Sequence, residues 1–368
     1  MTGHVEGSRS VETSREALSE RLFDAGLGML DTLVVYLGDR LGLYRAMAGH
    51  EGMTSADLAS RAGIHERYAR EWLEHQAAAG ILEVDDPEAG PGARRFRLPA
   101  AHAEVLTDLD SLYSMAPMAR SIVACATVMP QLQEAFRTGG GVSKTAYGQD
   151  AVEAQGDFNR PWLLQSFGAE HLPGIPEVHA RLLADPPAQV ADVACGAGWA
   201  SIAMAKAYAR LTVDGFDLDA ASIDLARRNA AEAGVADRVR FDVRDAADPA
   251  AAGKYDFAVM VEALHDVSQP VAVLAAIRGM LAPGGSLLVI DEKTGERFTA
   301  PANPAERLFY GYSVVSCLPE AMTDRPTAGT GTVMRPDTLR RYAREAGYRD
   351  VEVLDLGLEL MRGYRLIP

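Results

Sequence analysis

Cysteine is scarce in this sequence, and the few that occur follow no metal-binding or disulfide spacing. Cys125, Cys195 and Cys317 lie far apart along the chain. Small secreted domains are stabilised by disulfide bonds between closely spaced cysteines, whereas the cytosol keeps thiols reduced. The cysteine pattern therefore disfavours a disulfide framework and a cysteine-bound zinc, and it predicts a cytoplasmic protein.

The sequence also has fewer basic than acidic residues, and it has no long apolar run. The chain has 36 basic against 51 acidic residues, a net charge of −15 and a pI near 5.0, which disfavours attraction to nucleic acid or to an anionic membrane. No apolar run is long enough to span a bilayer, and residues 1–15 lack the apolar core of a signal peptide. We expect residues 1–17 to be a disordered tail.

The length of 368 residues and a hydrophobic fraction of 48% are sufficient for two domains, each with its own core. Residues 18–110 begin with apolar residues at helical spacing and continue as two short helices, 54–62 and 65–79. Two strand-like segments, 80–83 and 95–98, then flank a tip rich in proline and glycine. This order predicts a winged helix.

The charges on the second of these helices distinguish a winged helix that reads DNA from one that serves as a packing module. A helix that reads DNA normally presents a basic face, but Arg67 and Arg70 are accompanied by Glu66, Glu71 and Glu74. We therefore favour a packing module that forms a homodimer. A transcriptional regulator that binds a small ligand is the alternative.

Residues 111–185 predict a helical connector that contributes to a substrate pocket, and 186–368 form the second domain. From residue 189 onward, strands alternate with helices, which predicts a mostly parallel, Rossmann-like α/β sheet covered on both faces. With a hairpin at the end of the chain, the sheet has seven strands. The long segment 292–333 interrupts this order and is typical of a functional lid.

The segment Val190–Ser201, VADVACGAGWAS, is the centre of this second domain. It reads as a strand, a glycine turn and the start of a helix, and Gly196 and Gly198 allow backbone conformations that other residues avoid. The third glycine of a dinucleotide-binding loop is missing, since Ser201 stands there. Such a turn also occurs as a purely structural connection.

Acidic residues follow the next strands. Asp217, in VDGFDLD, ends the second strand, where a carboxylate can reach ribose hydroxyls, although an acid here can also cap a helix. The segment VRDA contains Asp245 and Ala246, and EALHDV begins at Glu262 and contains His265 and Asp266.

Together with LAPGGSLLVI at 281–290, these segments resemble the five motifs of class I S-adenosylmethionine (SAM) methyltransferases. The winged helix narrows the resemblance to the O-methyltransferase type that acts on small molecules, bacterial members included. The resemblance implies that SAM binds over the glycine turn, that S-adenosylhomocysteine (SAH) is its product, that the chain dimerises and that Asp245 binds the adenine amino group. The cofactor residues expected are Asp192, Cys195, Gly196, Gly198, Asp217, Leu218, Asp245, Ala246 and Glu262.

The pair His265-Asp266 matches the His-Asp pair of the plant-type enzymes, in which the histidine deprotonates the substrate hydroxyl. The resemblance thus makes His265 the general base and Asp266 its orienting partner. Histidine titrates near neutrality and suits that role, but a loop histidine bonded to Asp266 would give the same sequence. The tryptophan that follows the pair in those enzymes is Val267 here.

Aromatic and methionine side chains near the predicted connector and lid are candidates for a partly apolar substrate pocket. We select Phe158, Trp162, Tyr310 and Met322. No histidine spacing or carboxylate cluster predicts a metal site. Methylation of a small metabolite is the function expected, and a third possibility is an enzyme of this fold that uses SAM for chemistry other than methylation.

Overall fold

The structure is a computed structural model that describes residues 3–247 and 253–368, with side chains from Ser14 onward. The chain forms two compact units, the first ending at Val123 and the second running from Ala124 to Pro368. Among the described residues, no helix combines the length and the apolar character needed to cross a membrane.

Helices dominate the first unit, which also contains a short two-stranded sheet. Its elements are α1 (Gly3–Arg40), α2 (Leu43–Met47), α3 (Ser55–Ala62), α4 (Glu66–Ala78), β1 (Glu83–Val84), β2 (Phe96–Arg97), α5 (Ala100–Thr107) and α6 (Ala116–Thr127), the last of which continues into the second unit. Strands β1 and β2 pair antiparallel and form the wing that the sequence predicts.

The start of the chain differs from the expectation. Helix α1 already includes Gly3, so a helix takes the place of the tail predicted at 1–17, while residues 1–2 lie outside the described part. Glutamate, arginine and alanine favour helix here, and the segment extends the apolar-periodic helix that follows it.

Nine helices are described in the second unit besides the end of α6, within 124–247 and 253–368. The first of these are α7 (Met129–Thr138), α8 (Gly148–Trp162), α9 (Pro176–Leu183), α10 (Trp199–Ala207) and α11 (Ala220–Glu232). They are followed by α12 (Pro270–Met280), α13 (Pro304–Tyr312), α14 (Leu318–Ala321) and α15 (Pro336–Glu345). A π-helical segment, Leu163–His171, continues α8, so the hydrogen-bonding pattern of this helical stretch changes after Trp162.

The strands of this unit form one seven-stranded sheet. They are β3 (Gln189–Val193), β4 (Thr212–Asp217), β5 (Val239–Val243), β6 (Tyr255–Val261), β7 (Leu281–Glu292), β8 (Asp350–Leu354) and β9 (Met361–Ile367). Their order is β5-β4-β3-β6-β7-β9-β8, with β9 antiparallel to its neighbours and the other pairings parallel. This is the Rossmann-like, mostly parallel α/β sheet that the sequence predicts.

Side chains of successive strand residues point to opposite faces of the sheet, and both faces are buried. Val190 and Val259 belong to one apolar cluster, whereas Ala191 and Met260 belong to the other. The alternation follows from the period of two in a strand. Because the five parallel strands run the same way, their carboxyl ends meet at one edge, and the candidate site lies there.

The predicted connector at 111–185 is not a separate body. Residues from Ala124 onward belong to the second unit, where Leu163, Phe167, Leu172 and Val178 pack in the same cluster as the strands. The predicted lid at 292–333 contains α13, the π-helical segment Ser313–Cys317 and α14 rather than unstructured loop.

Candidate active site

A cavity of about 650 Å³ lies at the carboxyl edge of the parallel strands. Strands β3, β4, β5 and β6 each deliver residues to it where they end. Of the residues predicted from the sequence, the following line it: Asp192, Cys195, Gly196, Asp217, Leu218, Asp245, Ala246, Glu262 and Asp266. The structure therefore brings most of the predicted cofactor residues together in one cavity, and their role in binding SAM stays a prediction.

The turn after β3 presents bare backbone to the cavity. Gly196 has a φ of +51°, and a Cβ built on it would meet nothing within 4 Å. Ala194 also has a positive φ, 56°, a conformation that costs a non-glycine residue energy and that clusters at functional sites. The open space above Gly196 suits a ligand that must approach the main chain closely.

Gly198, which the sequence motif assigns to the cofactor site, does not line this cavity. Its φ is +80°, and a Cβ there would lie 2.6 Å from Cζ of Phe241 and 2.9 Å from Cβ of Ala226. The second glycine of the turn is thus required for packing the start of α10 against the neighbouring strand and helix.

Asp217 holds the turn and also faces the cavity. Its Oδ2 accepts a hydrogen bond from the Gly196 N–H at 2.9 Å, and its Oδ1 accepts one from the Asp219 N–H at 2.9 Å. A carboxylate has about four lone-pair positions, so two remain for hydroxyl donors of a ligand. Asp219 caps α11 by accepting from the Ser222 N–H.

Two further acids lie at this edge, Asp192 fully buried and Glu262 partly buried. Burial raises the pKa of Asp192 to about 7, although hydrogen bonds from the Ser201 hydroxyl and N–H lower it. Burial likewise raises the pKa of Glu262 to about 7, while Asn159 donates to its carboxylate. Glu262 has a φ of 48°, so it is a second strained residue in the lining.

His265 lies in a three-residue helical turn after β6, and its ring is surrounded by carboxylates. Nδ1 donates to Oδ1 of Asp291 at 2.7 Å and lies 3.0 Å from Oε2 of Glu292, and Nε2 lies 3.1 Å from Oδ1 of Asp266. Burial lowers the pKa of His265, but the three carboxylates outweigh it and raise the pKa well above its ordinary value. The ring is therefore an imidazolium at neutral pH.

This arrangement does not favour the general-base role predicted for His265. A base must be unprotonated and must reach the substrate, whereas this ring is 2% exposed and does not line the cavity. The predicted partnership with Asp266 is present as a close ion pair.

Asp291 and Glu292 were missed by the sequence analysis. Both end β7, and the rule that parallel strands share one carboxyl edge could have placed them beside His265. Burial raises the pKa of Glu292 well above its ordinary value, whereas the His265 charge outweighs burial and lowers that of Asp291. The His265 charge therefore favours the ionised form of Asp291, whereas burial opposes ionisation of Glu292.

The potential ligand atoms of His265, Asp291 and Glu292 lie within 4.8 Å of one another, as do those of His265, Asp266 and Cys317. An imidazolium that pairs with carboxylates places its atoms at the same distances, so this spacing alone does not indicate a metal. The absence of a metal therefore stays a prediction.

None of the four predicted substrate-pocket residues lines the cavity. Trp162 donates its indole N–H to Asn159 at 2.9 Å, and Tyr310 is bonded to Arg335 instead. Met322 lies next to Gly329, and Phe158 is 38% exposed. Other side chains take this part of the lining: Lys144, Val152, Gln155, Asn159, Glu320 and Thr323.

Lys144 places a positive charge in this acidic wall, whose lining also includes Arg244. Burial lowers its pKa, but the charges of Asp217, Glu320, Asp266 and Asp219 outweigh burial and raise it. Lys144 begins the short 3₁₀ helix Lys144–Tyr147, and no local sequence pattern indicates that its side chain would reach the cavity.

Family models match a segment in each of the two units of the chain. Residues 190–285 match the family described as "Methyltransferase domain", and residues 29–108 match the "Rv2258c-like winged HTH domain". The "Ubiquinone biosynthesis O-methyltransferase" of Thiobacillus denitrificans is 31% identical over 182 residues, 48% of this chain and 72% of that protein. The enzyme of the same name from Pseudomonas aeruginosa is 28% identical over 179 residues, with the same coverage.

Solved structures share the fold over nearly the whole chain. The mitomycin 7-O-methyltransferase MmcR has a TM-score of 0.71 at 22% identity and covers 96% of this chain and 99% of its own. Human N-acetylserotonin methyltransferase, solved with SAM, has a TM-score of 0.69 at 18% identity and covers 95% and 97%. The five motifs, the seven-stranded sheet and these matches agree: the chain belongs to the class I SAM-dependent methyltransferases, of the O-methyltransferase type that carries an N-terminal winged helix.

Proposed function

We propose that this protein transfers the methyl group of SAM to a hydroxyl of a small, partly apolar metabolite. The cavity at the sheet edge carries the proposal, because it joins an open glycine backbone at Gly196 to carboxylates and to apolar wall residues such as Val152. The human N-acetylserotonin methyltransferase was solved with SAM and the structure of PigF with SAH. SAM and SAH are therefore the cofactor pair proposed here.

The residues at the edge fit SAM without a phosphate-binding loop. Asp217 has free lone pairs for ribose hydroxyls, and Asp245 and Ala246 line the cavity beyond it. When bound, SAM supplies a methyl group on a positively charged sulfur. An acidic wall suits such a cation, and the residues that remain must align the acceptor oxygen and take its proton.

Replacing Asp217 with asparagine is expected to weaken SAM binding by about 1–3 kcal/mol, because charge-assisted hydrogen bonds to ribose are lost. Wild-type affinity in the low micromolar range corresponds to roughly −8 kcal/mol. Titration calorimetry measures both values. Asp214→Asn is the matched control, since Asp214 lies on the same strand but bonds Tyr255 at 2.9 Å and lies outside the cavity. Equal affinity in all three proteins would mean that the cofactor binds elsewhere.

Methyl transfer itself is tested with SAM and a panel of monohydroxy- and dihydroxybenzenes. The expected products are SAH and the matching methyl ether, both identified by mass spectrometry. SAH formed without a methylated acceptor, or no SAH with any acceptor, would contradict the proposal.

We also propose that the chain is a homodimer joined through helix α1. The observation behind this is an exposed apolar surface on that helix: Leu22 is 61%, Phe23 67% and Leu30 57% exposed. An apolar surface of this kind is costly for a monomer in water and is typical of an interface.

Phe23→Glu combined with Leu30→Glu is expected to convert dimers into monomers, because charges would replace the apolar contact. Sedimentation velocity at micromolar concentration measures the change. Glu20→Gln on the same helix is the control and should leave the dimer intact. A wild-type protein that sediments as a monomer would contradict the proposal.

The winged helix gives little support to the regulator alternative. Arg67 pairs with Glu71 at 2.5 Å and Arg70 pairs with Glu66 at 2.7 Å, so these two arginines of α4 are neutralised within their own helix. A protein that reads DNA needs such charges for phosphate. A cytoplasmic location remains a prediction from the sequence.

A further inference from the structure

Glu320 is held in a fixed place on the wall of the cavity. It lies in the short helix α14, and the carbonyl groups on either side of it are both bonded. The Pro319 carbonyl accepts from the Val142 N–H at 3.0 Å, and the Ala321 carbonyl accepts from the Ser268 hydroxyl at 3.0 Å. These bonds tie α14 to the loop before α8 and to the segment that follows His265.

The carboxylate of Glu320 is available where the other acids of this wall are engaged. Among the described residues it has no hydrogen bond and no ion pair within 4 Å. Asp266 is paired with His265, and Glu262 accepts from Asn159. Asp324 also lines the cavity but is exposed to solvent.

The electrostatic surroundings suit a group that gains and loses a proton at neutral pH. Burial raises the pKa of Glu320 to about 7, and the charges of Asp266 and Asp217 raise it while those of Lys144 and His265 lower it. An efficient base has a pKa near the working pH. Lys144 supplies the positive charge that keeps part of the carboxyl ionised.

We propose that Glu320, rather than His265, is the base that accepts the proton of the acceptor hydroxyl. The inference rests on the proposed methyl transfer. In the step, the O–H bond of the acceptor breaks and its proton moves to the Glu320 carboxylate. The oxygen forms a bond to the methyl carbon while the carbon–sulfur bond breaks and the sulfur keeps that electron pair. The proton on Glu320 then passes to water.

Glu320→Gln should lower kcat by about 10²–10⁴-fold with SAM affinity unchanged, since the amide cannot accept a proton. In the wild type, kcat/KM with the hydroxybenzene acceptor should rise with pH through a pKa near 7, because only the ionised carboxyl is a base. That acidic limb should vanish in Glu320→Gln and return in Glu320→Asp. Asp337→Asn is the control, because this exposed acid lies outside the cavity lining, and it should keep both the rate and the limb.

A second measurement needs no acceptor. Infrared difference spectra between the wild type and Glu320→Gln should show one carboxyl group that titrates near pH 7, whereas Asp337→Asn should retain it. A Glu320 that titrates in the ordinary acidic range, or full turnover in Glu320→Gln, would overturn the inference while leaving methyl transfer intact. Absence of methylated product in the wild type would instead contradict the proposed function, and the infrared titration would still decide the state of Glu320.

Discussion

His265→Gln is expected to lower the free energy of unfolding at neutral pH by about 3–5 kcal/mol, the cost of removing one partner from a buried ion pair. The imidazolium is the positive charge between Asp266, Asp291 and Glu292, and Asp291 is 1% exposed. Glutamine keeps a hydrogen-bond donor but removes the charge, so the ionised Asp291 would remain buried without a cation.

Urea unfolding measures the loss, and His179→Gln is the matched control. His179 is half-buried in the same unit and bonds to the Tyr208 hydroxyl at 2.8 Å. Losing one neutral hydrogen bond should cost about 1 kcal/mol. Equal, small losses in both variants would contradict the charge role of His265, and if kcat then collapsed in His265→Gln, the general-base prediction from the sequence would be restored.

The same cluster makes stability depend on pH in a defined direction. His265 has a folded pKa well above its ordinary 6.5, so the folded state binds more protons than the unfolded state. Its contribution is complete below pH 6.5 and is lost as pH rises through the folded pKa. Glu292, whose pKa is also raised, acts in the same direction. Wild-type stability should therefore fall above neutral pH, and His265→Gln should flatten that fall.

The fold could be predicted because each strand and helix leaves a local pattern. The alternation of strand and helix patterns predicts the mostly parallel sheet. The ends of the predicted strands place Asp217, Asp245 and Glu262 at one edge of it. Strand β7 begins at Leu281, ahead of Gly284 and Gly285, because Leu281 pairs with Tyr255 of β6. Such pairing depends on a neighbouring strand rather than on the local sequence.

The substrate side could not be predicted in the same way, because residue type does not fix where a side chain points. The sequence predicts Trp162 as an aromatic residue of the substrate pocket. Its indole N–H instead donates a hydrogen bond to Asn159, and the Asn159 amide in turn donates to Glu262. Lys144 begins the short 3₁₀ helix Lys144–Tyr147, and Glu320 lies in the four-residue helix α14. Neither segment has a periodicity that indicates its environment, and only tertiary hydrogen bonds bring them to the cavity.

The glycine turn shows how two similar positions can have opposite roles. Gly198→Ala is expected to lower the free energy of unfolding by about 2–5 kcal/mol. Roughly 1–2 kcal/mol comes from the left-handed backbone, and about 1–3 kcal/mol comes from forcing a methyl group into a packed core. The methyl would lie 2.6 Å from the Phe241 ring and 2.9 Å from Ala226, so the strand and helix must move apart.

Gly196→Ala is the matched variant, because it has the same sign of φ but open space at its Cβ. It should lose only the backbone cost of roughly 1–2 kcal/mol, while its methyl group enters the cavity and weakens SAM binding. Urea unfolding and titration calorimetry on both variants separate the two effects. If Gly198→Ala were as stable as Gly196→Ala and lost SAM affinity instead, Gly198 would belong to the cofactor site, as the sequence motif alone had suggested.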